Sequence, residues 1–316
     1  MERNSLSFVS RYLTRAATTK SVLCVGLDPT PAHVPLQLRT ENVLKDIEDY
    51  LKIVINLAVS RVPVVKPQYA YYGALGPQGI QVLIELVRYA HERGLLVILD
   101  AKRADIGETV ERYGEEVFGQ YGVDSCTYVP YLGPTFFPAW KKWFKQGRMA
   151  IPMIRTSNPE AALLQDCKLE NGMLVYEQMA LWVKMWQDEI SDKTDGAGNV
   201  GGVVGATWPE QAPRCRELAG DEVFFLIPGY GAQGGGSAGA VAGLPNSRGE
   251  LMGTGNSSRA ITLTSWWDKE TKTSRKGDPL ELIAAAIDAS NADLNAALMR
   301  KLGKVSLEEV YRSTVN

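Results

Sequence analysis

Histidine is almost absent: the 316 residues hold two, His33 and His91, and neither has a cysteine or second histidine at metal-ligand spacing. Zinc chemistry and a Ser-His-Asp nucleophile are both poorly supplied. The four cysteines, Cys24, Cys126, Cys167 and Cys215, form no CxxC pair, and the sequence reads them as small buried thiols of a reducing compartment, the cytoplasm. No apolar run approaches the roughly 18 residues of a membrane-spanning helix; the best, at 95–99 and 223–227, have strand length. One-sided charge is missing as well, since 34 Lys+Arg against 36 Asp+Glu leave a net charge of −2, which argues against a nucleic-acid or anionic-lipid surface. A Walker-type GK[ST] is not found, so nucleoside triphosphate binding by that route is unsupported.

What is present is an alternation. Strand-like runs at 21–27, 62–67, 95–102, 124–130, 149–156, 200–207, 222–228 and 250–258 are each followed by a longer helical pattern, except that the seventh leads into a glycine-rich segment. The helical patterns lie within 41–60, 77–93, 106–120, 135–146, 173–190, 209–219 and 278–302. Strands apolar on both faces, alternating with helices, imply a parallel sheet covered by helices, and eight such units suit closure. The expected fold is therefore α/β, a (β/α)8 TIM barrel forming a single domain over 1–316, with an open doubly wound sheet as the alternative. Segments 157–172, 191–199 and 232–249 read as loop insertions. Arg3, Arg11, Arg15 and Lys20 give the first twenty residues a faint transit-peptide character, but Phe8, Val9, Tyr12 and Leu13 fall at helical spacing and predict an N-terminal helix under the core. His91 reads as a helix C-terminal residue favoured by the dipole. The basic aromatic run 138–148 reads as a helix with Trp140 and Trp143 inward and Lys141, Lys142 and Lys145 outward.

In a parallel barrel the working residues sit at the C-terminal strand ends. There the sequence places Asp28, Lys66, Asp100 with Lys102, Ser157, Gln233 and Arg259, from six different strands. Asp100 and Lys102, two apart on one strand, point the same way and hold a carboxylate beside an ammonium. Asp105 falls at the following helix start, where it would also serve as a cap. Gly229, Gly231 and Gly234 spell G-x-G-x-x-G, but after the seventh strand, where a dinucleotide fingerprint does not belong. Glycines at that place let backbone N–H groups approach a phosphate, and Arg259 supplies the cation.

The ordered set VGLDP, VVKPQYAYYG, LDAKRADIGET, TSNPEA, VVGAT, IPGYGAQGG and SSRAI resembles the orotidine 5′-phosphate decarboxylase family, in its longer-chain branch, over nearly the whole chain. The resemblance implies removal of CO2 from orotidine 5′-monophosphate to give uridine 5′-monophosphate, in pyrimidine biosynthesis, with neither metal nor organic cofactor. It implies that Lys102 protonates C6, that Asp100 opposes the departing carboxylate, and that Lys66 balances Asp100 and, with Asp28, touches the ribose. Asp105 and Thr109 would come from the second subunit of a homodimer. Ser157, rather than Thr156, would read the pyrimidine edge, and Gln233 and Arg259 would grip the phosphate. Two other readings stay open. A metal-dependent sugar-phosphate lyase of the same superfamily would carry an acidic ligand on the second strand, where this sequence has Lys66. A non-catalytic phosphate-binding barrel would have no use for Asp100 facing an anion.

Overall fold

The computed structural model describes residues 6–194, 198–231 and 233–312. Arg3 and residues 195–197 and 232 of the expected insertions lie outside them. Eight parallel strands close into a barrel: β1 (Leu23–Leu27), β2 (Val64–Pro67), β3 (Leu96–Arg103), β4 (Ser125–Tyr128), β5 (Met149–Arg155), β6 (Asn199–Val204), β7 (Phe224–Ile227) and β8 (Gly253–Ser257). Closure is made by β1, where Cys24 pairs with Val64 of β2 on one side and with Asn256 of β8 on the other. That pairing removes the open doubly wound alternative. Every residue of β1, β2, β4, β6, β7 and β8 is buried, because helices cover one face and the barrel interior fills the other. β5 is buried except at Met153, and β3 opens at its C-terminal half, from Asp100 to Arg103.

The covering helices fall where the apolar spacing puts them, at Val43–Ala58, Gly76–Glu92, Gly107–Gly114, Val175–Lys193, Ala212–Ala219 and Pro279–Leu302. The last begins with Asp278 accepting from Leu280 N and ends on Gly303 in the left-handed region, a full set of stop signals. Several boundaries differ from expectation. The single helix expected at 135–146 is two short turns, Phe136–Ala139 and Lys141–Phe144, although Trp140 is buried and the lysines are exposed as expected. The helix ending at Lys193 and β6 starting at Asn199 take both ends of the segment expected to be a loop at 191–199. The insertions at 157–172 and 232–249 carry short helices of their own, Ala162–Gln165 and Ser237–Val241. Helix Gly107–Gly114 continues as a π-helical turn, Glu115–Gln120.

The N-terminal helix Phe8–Thr19 plugs the N-terminal end of the barrel. Phe8 and Tyr12 meet Phe224 edge-on at 5.4 and 4.7 Å, and Tyr12 donates to Gly253 O at 2.7 Å. Beside it Asp124, 2% exposed, accepts from Arg11 at 2.6 Å, from His91 at 2.8 Å, from Arg148 at 3.2 Å and from Val97 N at 2.9 Å. Burial opposes ionisation of Asp124, but His91 and the two arginines outweigh it and hold the carboxyl far below its usual range. His91 does sit in the last turn of its helix, and its ring also serves this cluster. Three cysteines are buried as expected; Cys167 is exposed, because it falls in the surface insertion and not in a strand. Among the described residues no helix is long and apolar enough to cross a membrane.

Candidate active site

The C-terminal ends of the strands gather the polar residues the sequence singled out. Asp100 lies between two ammonium groups, with Lys102 Nζ 2.7 Å from Oδ1 and Lys66 Nζ 3.4 Å from Oδ2. Lys66 projects from β2, its side chain 4% exposed, whereas the Lys102 side chain is 46% exposed and reaches into the open mouth. Burial disfavours the charge on Lys66, yet the Asp100 and Asp28 carboxylates prevail and its pKa is raised above the ordinary lysine value. Asp100 is likewise penalised by burial, but Lys66 and Lys102 hold its carboxyl down at about 2. Asp100 and Lys66 are thus both ionised at neutral pH. Asp28 follows β1, and its buried Oδ1 has no hydrogen-bond partner among the described residues.

The residues expected to read a base and a phosphate also meet. Ser157 Oγ donates to Gln233 Oε1 at 2.8 Å, joining the loop after β5 to the loop after β7. Thr156 is turned to bracing instead: its hydroxyl contacts Asn158 at 2.8 Å and accepts from Gln165 Nε2 at 2.9 Å. Gly229, Gly231 and Gly234 have φ of +100°, +84° and +89°, so the turn after β7 takes conformations that side chains resist. A Cβ on Gly231 would lie 3.3 Å from Ala260, which places this turn against the residue next to Arg259. No hydrogen bond or ion pair among the described residues engages the Arg259 guanidinium. Asp105 and Thr109 are not brought into the cluster within one chain. Asp105 Oδ1 accepts from Ile106 N at 2.8 Å, and the Thr109 hydroxyl is exposed. Nor is Asp105 the helix cap expected of it: Ile106 occupies the cap position of helix Gly107–Gly114, so Asp105 stands one residue too early.

Some supporting residues were not foreseen. Thr127 of β4 bonds Asp100 Oδ1 at 3.0 Å and receives Lys102 N at 2.9 Å. Arg155, fully buried at the end of β5, holds Gln211, Gln165 and Asp166 at 2.6 to 3.2 Å and stacks on Trp208 at 4.0 Å, fixing the chain that enters Ser157. The signal available in the sequence was a polar residue inside an apolar strand, which β4 and β5 both show. A separate cleft of about 640 Å³ lies at the opposite end of the barrel, lined by Arg11, Arg15, His91 and Asp124 among others. The N-terminal helix lines it through Arg11, Thr14 and Arg15, and none of the strand-end groups does. Among the described residues no set of three or more His, Cys, Asp or Glu is grouped to hold a metal ion.

The model of the orotidine 5′-phosphate decarboxylase / HUMPS family matches residues 21–273, the span from the first strand to just past the eighth. The chain belongs to this family. An orotidine 5′-phosphate decarboxylase of Variovorax paradoxus is 37% identical over 278 residues, covering 86% of this chain and 95% of that protein. One from Haloarcula marismortui is 35% identical, with 86% and 92% covered. Among solved structures, the orotidine 5′-phosphate decarboxylase of Leishmania donovani superposes with a TM-score of 0.72 at 27% identity, covering 93% of this chain and 99% of that one. A Toxoplasma gondii structure of the same description reaches a TM-score of 0.78 over 98% of both chains, and at 24% identity it speaks for the fold alone.

Proposed function

We propose that the strand-end cluster decarboxylates orotidine 5′-phosphate by opposing charge to charge at one end of the substrate and gripping its phosphate at the other. The chain is an orotidine 5′-phosphate decarboxylase, a carboxy-lyase that releases CO2 and leaves UMP. The observation that carries the assignment of residues is the Lys66–Asp100–Lys102 trio, a carboxylate kept charged at the mouth of the barrel by two ammonium groups.

The C6–carboxylate bond breaks with its electron pair remaining on C6. The Lys102 ammonium stabilises that carbanion and then gives it a proton, regaining one from solvent afterwards. Asp100 faces the substrate carboxylate, and the repulsion between the two is relieved as CO2 departs. Lys66 keeps Asp100 ionised and reaches the ribose, whose hydroxyls donate to Asp28 through the oxygen that lacks a partner among the described residues. Ser157 reads the pyrimidine edge, and its bond to Gln233 couples base recognition to the phosphate loop. Gln233 and Arg259 bind the phosphate, so that binding energy from a remote dianion closes and desolvates the reacting end.

Asp105 and Thr109 act on the neighbouring subunit of a homodimer. In support, exposed apolar side chains flank them: Ile106 is 58% exposed, Tyr131 82% and Leu132 47%, all on the same rim after β3 and β4. Such a site works in the cytoplasm, with its thiols reduced and without cofactor. The test is the ultraviolet change of orotidine 5′-phosphate on adding the protein, with and without a chelator. Loss of substrate absorbance that ignores the chelator is expected; no change, or a requirement for added metal, would refute the reading.

A further inference from the structure

Among the described residues of the site, Lys102 is the one non-glycine with a positive φ. Its φ is +48°, in the left-handed region that a residue with a side chain occupies only when its surroundings hold it there. The cause is visible in the register of β3 against β4. Leu99 pairs with Cys126 and Arg103 with Tyr128, so four steps on β3 (103 − 99) run beside two on β4 (128 − 126), and the excess forms a bulge. Thr127 is the β4 residue opposite that bulge, and its side chain is fully buried. Its hydroxyl oxygen accepts the Lys102 N–H at 2.9 Å, a bond the interrupted ladder does not supply, and its hydrogen goes to Asp100 Oδ1 at 3.0 Å. The direction is forced, since a backbone N–H can only donate and the hydroxyl has one hydrogen to give. Oδ1 is also the oxygen that Lys102 Nζ contacts at 2.7 Å, while Lys66 takes Oδ2. One hydroxyl therefore fixes both the backbone from which the lysine projects and the rotation of the carboxylate it faces.

On the far side of the bulge the chain is clamped again. Arg103 donates twice to Glu116, at 2.9 and 2.6 Å, and its guanidinium lies 4.2 Å from the ring of Tyr69 and 4.9 Å from that of Tyr113. Glu116 reaches it from the π-helical turn, a distortion that often marks a functional position. With Asp100 and Arg103 both held, the freedom left to Lys102 is that of its side chain.

We propose that Thr127 is a positioning residue for the decarboxylation, setting the geometry of the Asp100–Lys102 pair through these two hydrogen bonds. The inference rests on the reading of Lys102 as the proton donor. Replacement by valine keeps the shape and removes the hydroxyl. A misplacement of the order of 1 Å in a reacting group costs about a hundredfold in rate, and the expected result for Thr127→Val is a fall in kcat of about 10- to 100-fold, with UMP affinity changed less than about threefold. The acid limb of the kcat profile moves to higher pH, because Asp100 loses a bond to its charged form. Thr127→Ser, which keeps both bonds, restores kcat to within a few-fold, and Thr127→Cys, a weaker donor, falls between and serves if the valine variant does not fold. An unchanged kcat in the valine or cysteine variant, a loss that serine does not rescue, or a kcat loss matched by an equal loss of UMP binding would overturn the proposal. Lys102→Ala run alongside separates the two claims. If it stays active, the reading of the site is wrong; if it is inactive while Thr127→Val is normal, only the role of Thr127 fails.

Discussion

Asp100→Asn removes the one carboxylate between Lys66 and Lys102 and changes stability and activity in ways that can be told apart. In the folded chain Asp100 titrates at about 2 against an ordinary 3.8, because the two ammonium groups outweigh its burial. At about 1.4 kcal/mol per pH unit of displacement, the folded state gains about 2 kcal/mol from the ionised group. The folded pKa is depressed, so this contribution is complete above pH 4 and is lost as the pH falls from about 4 towards 2. Asparagine keeps the size of the side chain and forgoes the charge, leaving Lys66, 4% exposed, with its nearest counter-charge gone. Urea unfolding at pH 7 should therefore show the variant less stable by about 2 kcal/mol with the same slope, a gap that narrows on acidification. Turnover of orotidine 5′-phosphate should fall by orders of magnitude at pH 7, independently of the stability change. A variant more stable than the parent at pH 7, or a gap that ignores pH, would refute the claim that the two lysines stabilise an ionised Asp100.

Three further outcomes are expected. Asp124→Asn leaves Arg11 and Arg148 facing a neutral group at the bottom of the barrel and should cost about 3–5 kcal/mol in urea unfolding, while kcat stays unchanged because the cluster lies at the opposite end from the site. Arg259→Ala removes a forked cation and should lower kcat/KM about a hundredfold, a loss partly recovered by free guanidinium ion; an unchanged kcat/KM would deny it the phosphate. Tyr131→Asp places a charge on a side chain that is 82% exposed on the rim proposed to meet the second subunit, and sedimentation should show the variant as monomer where the parent is a dimer, with activity lost at low protein concentration.

The barrel was legible because two-sided burial leaves an unmistakable trace: VVKP and VILDAK are apolar until their last residues, and FFLIP is apolar throughout. The nearness of Asp100 and Lys102 was expected from strand alternation, although a bulge shapes it, and Gly229, Gly231 and Gly234 all take positive φ. What stayed hidden depends on partners remote in sequence. Thr127 acquires its role from a bulge in the neighbouring strand, and Arg103 from a glutamate 13 residues on, brought round by a π-turn. Asp124 draws side-chain donors from three segments and carries no local signature. Asp105 was misplaced as a cap by a single residue, the usual uncertainty at a helix boundary, and the exposed Cys167 fell in an insertion whose course no periodicity describes.

The central claim, that Lys102 delivers the proton to C6 from beside Asp100, is tested most directly by single-turnover decarboxylation with Lys102→Ala, paired with a UMP binding isotherm on the same preparation. Turnover lower by several orders of magnitude with UMP still bound is the predicted result; a near-normal rate would contradict the account.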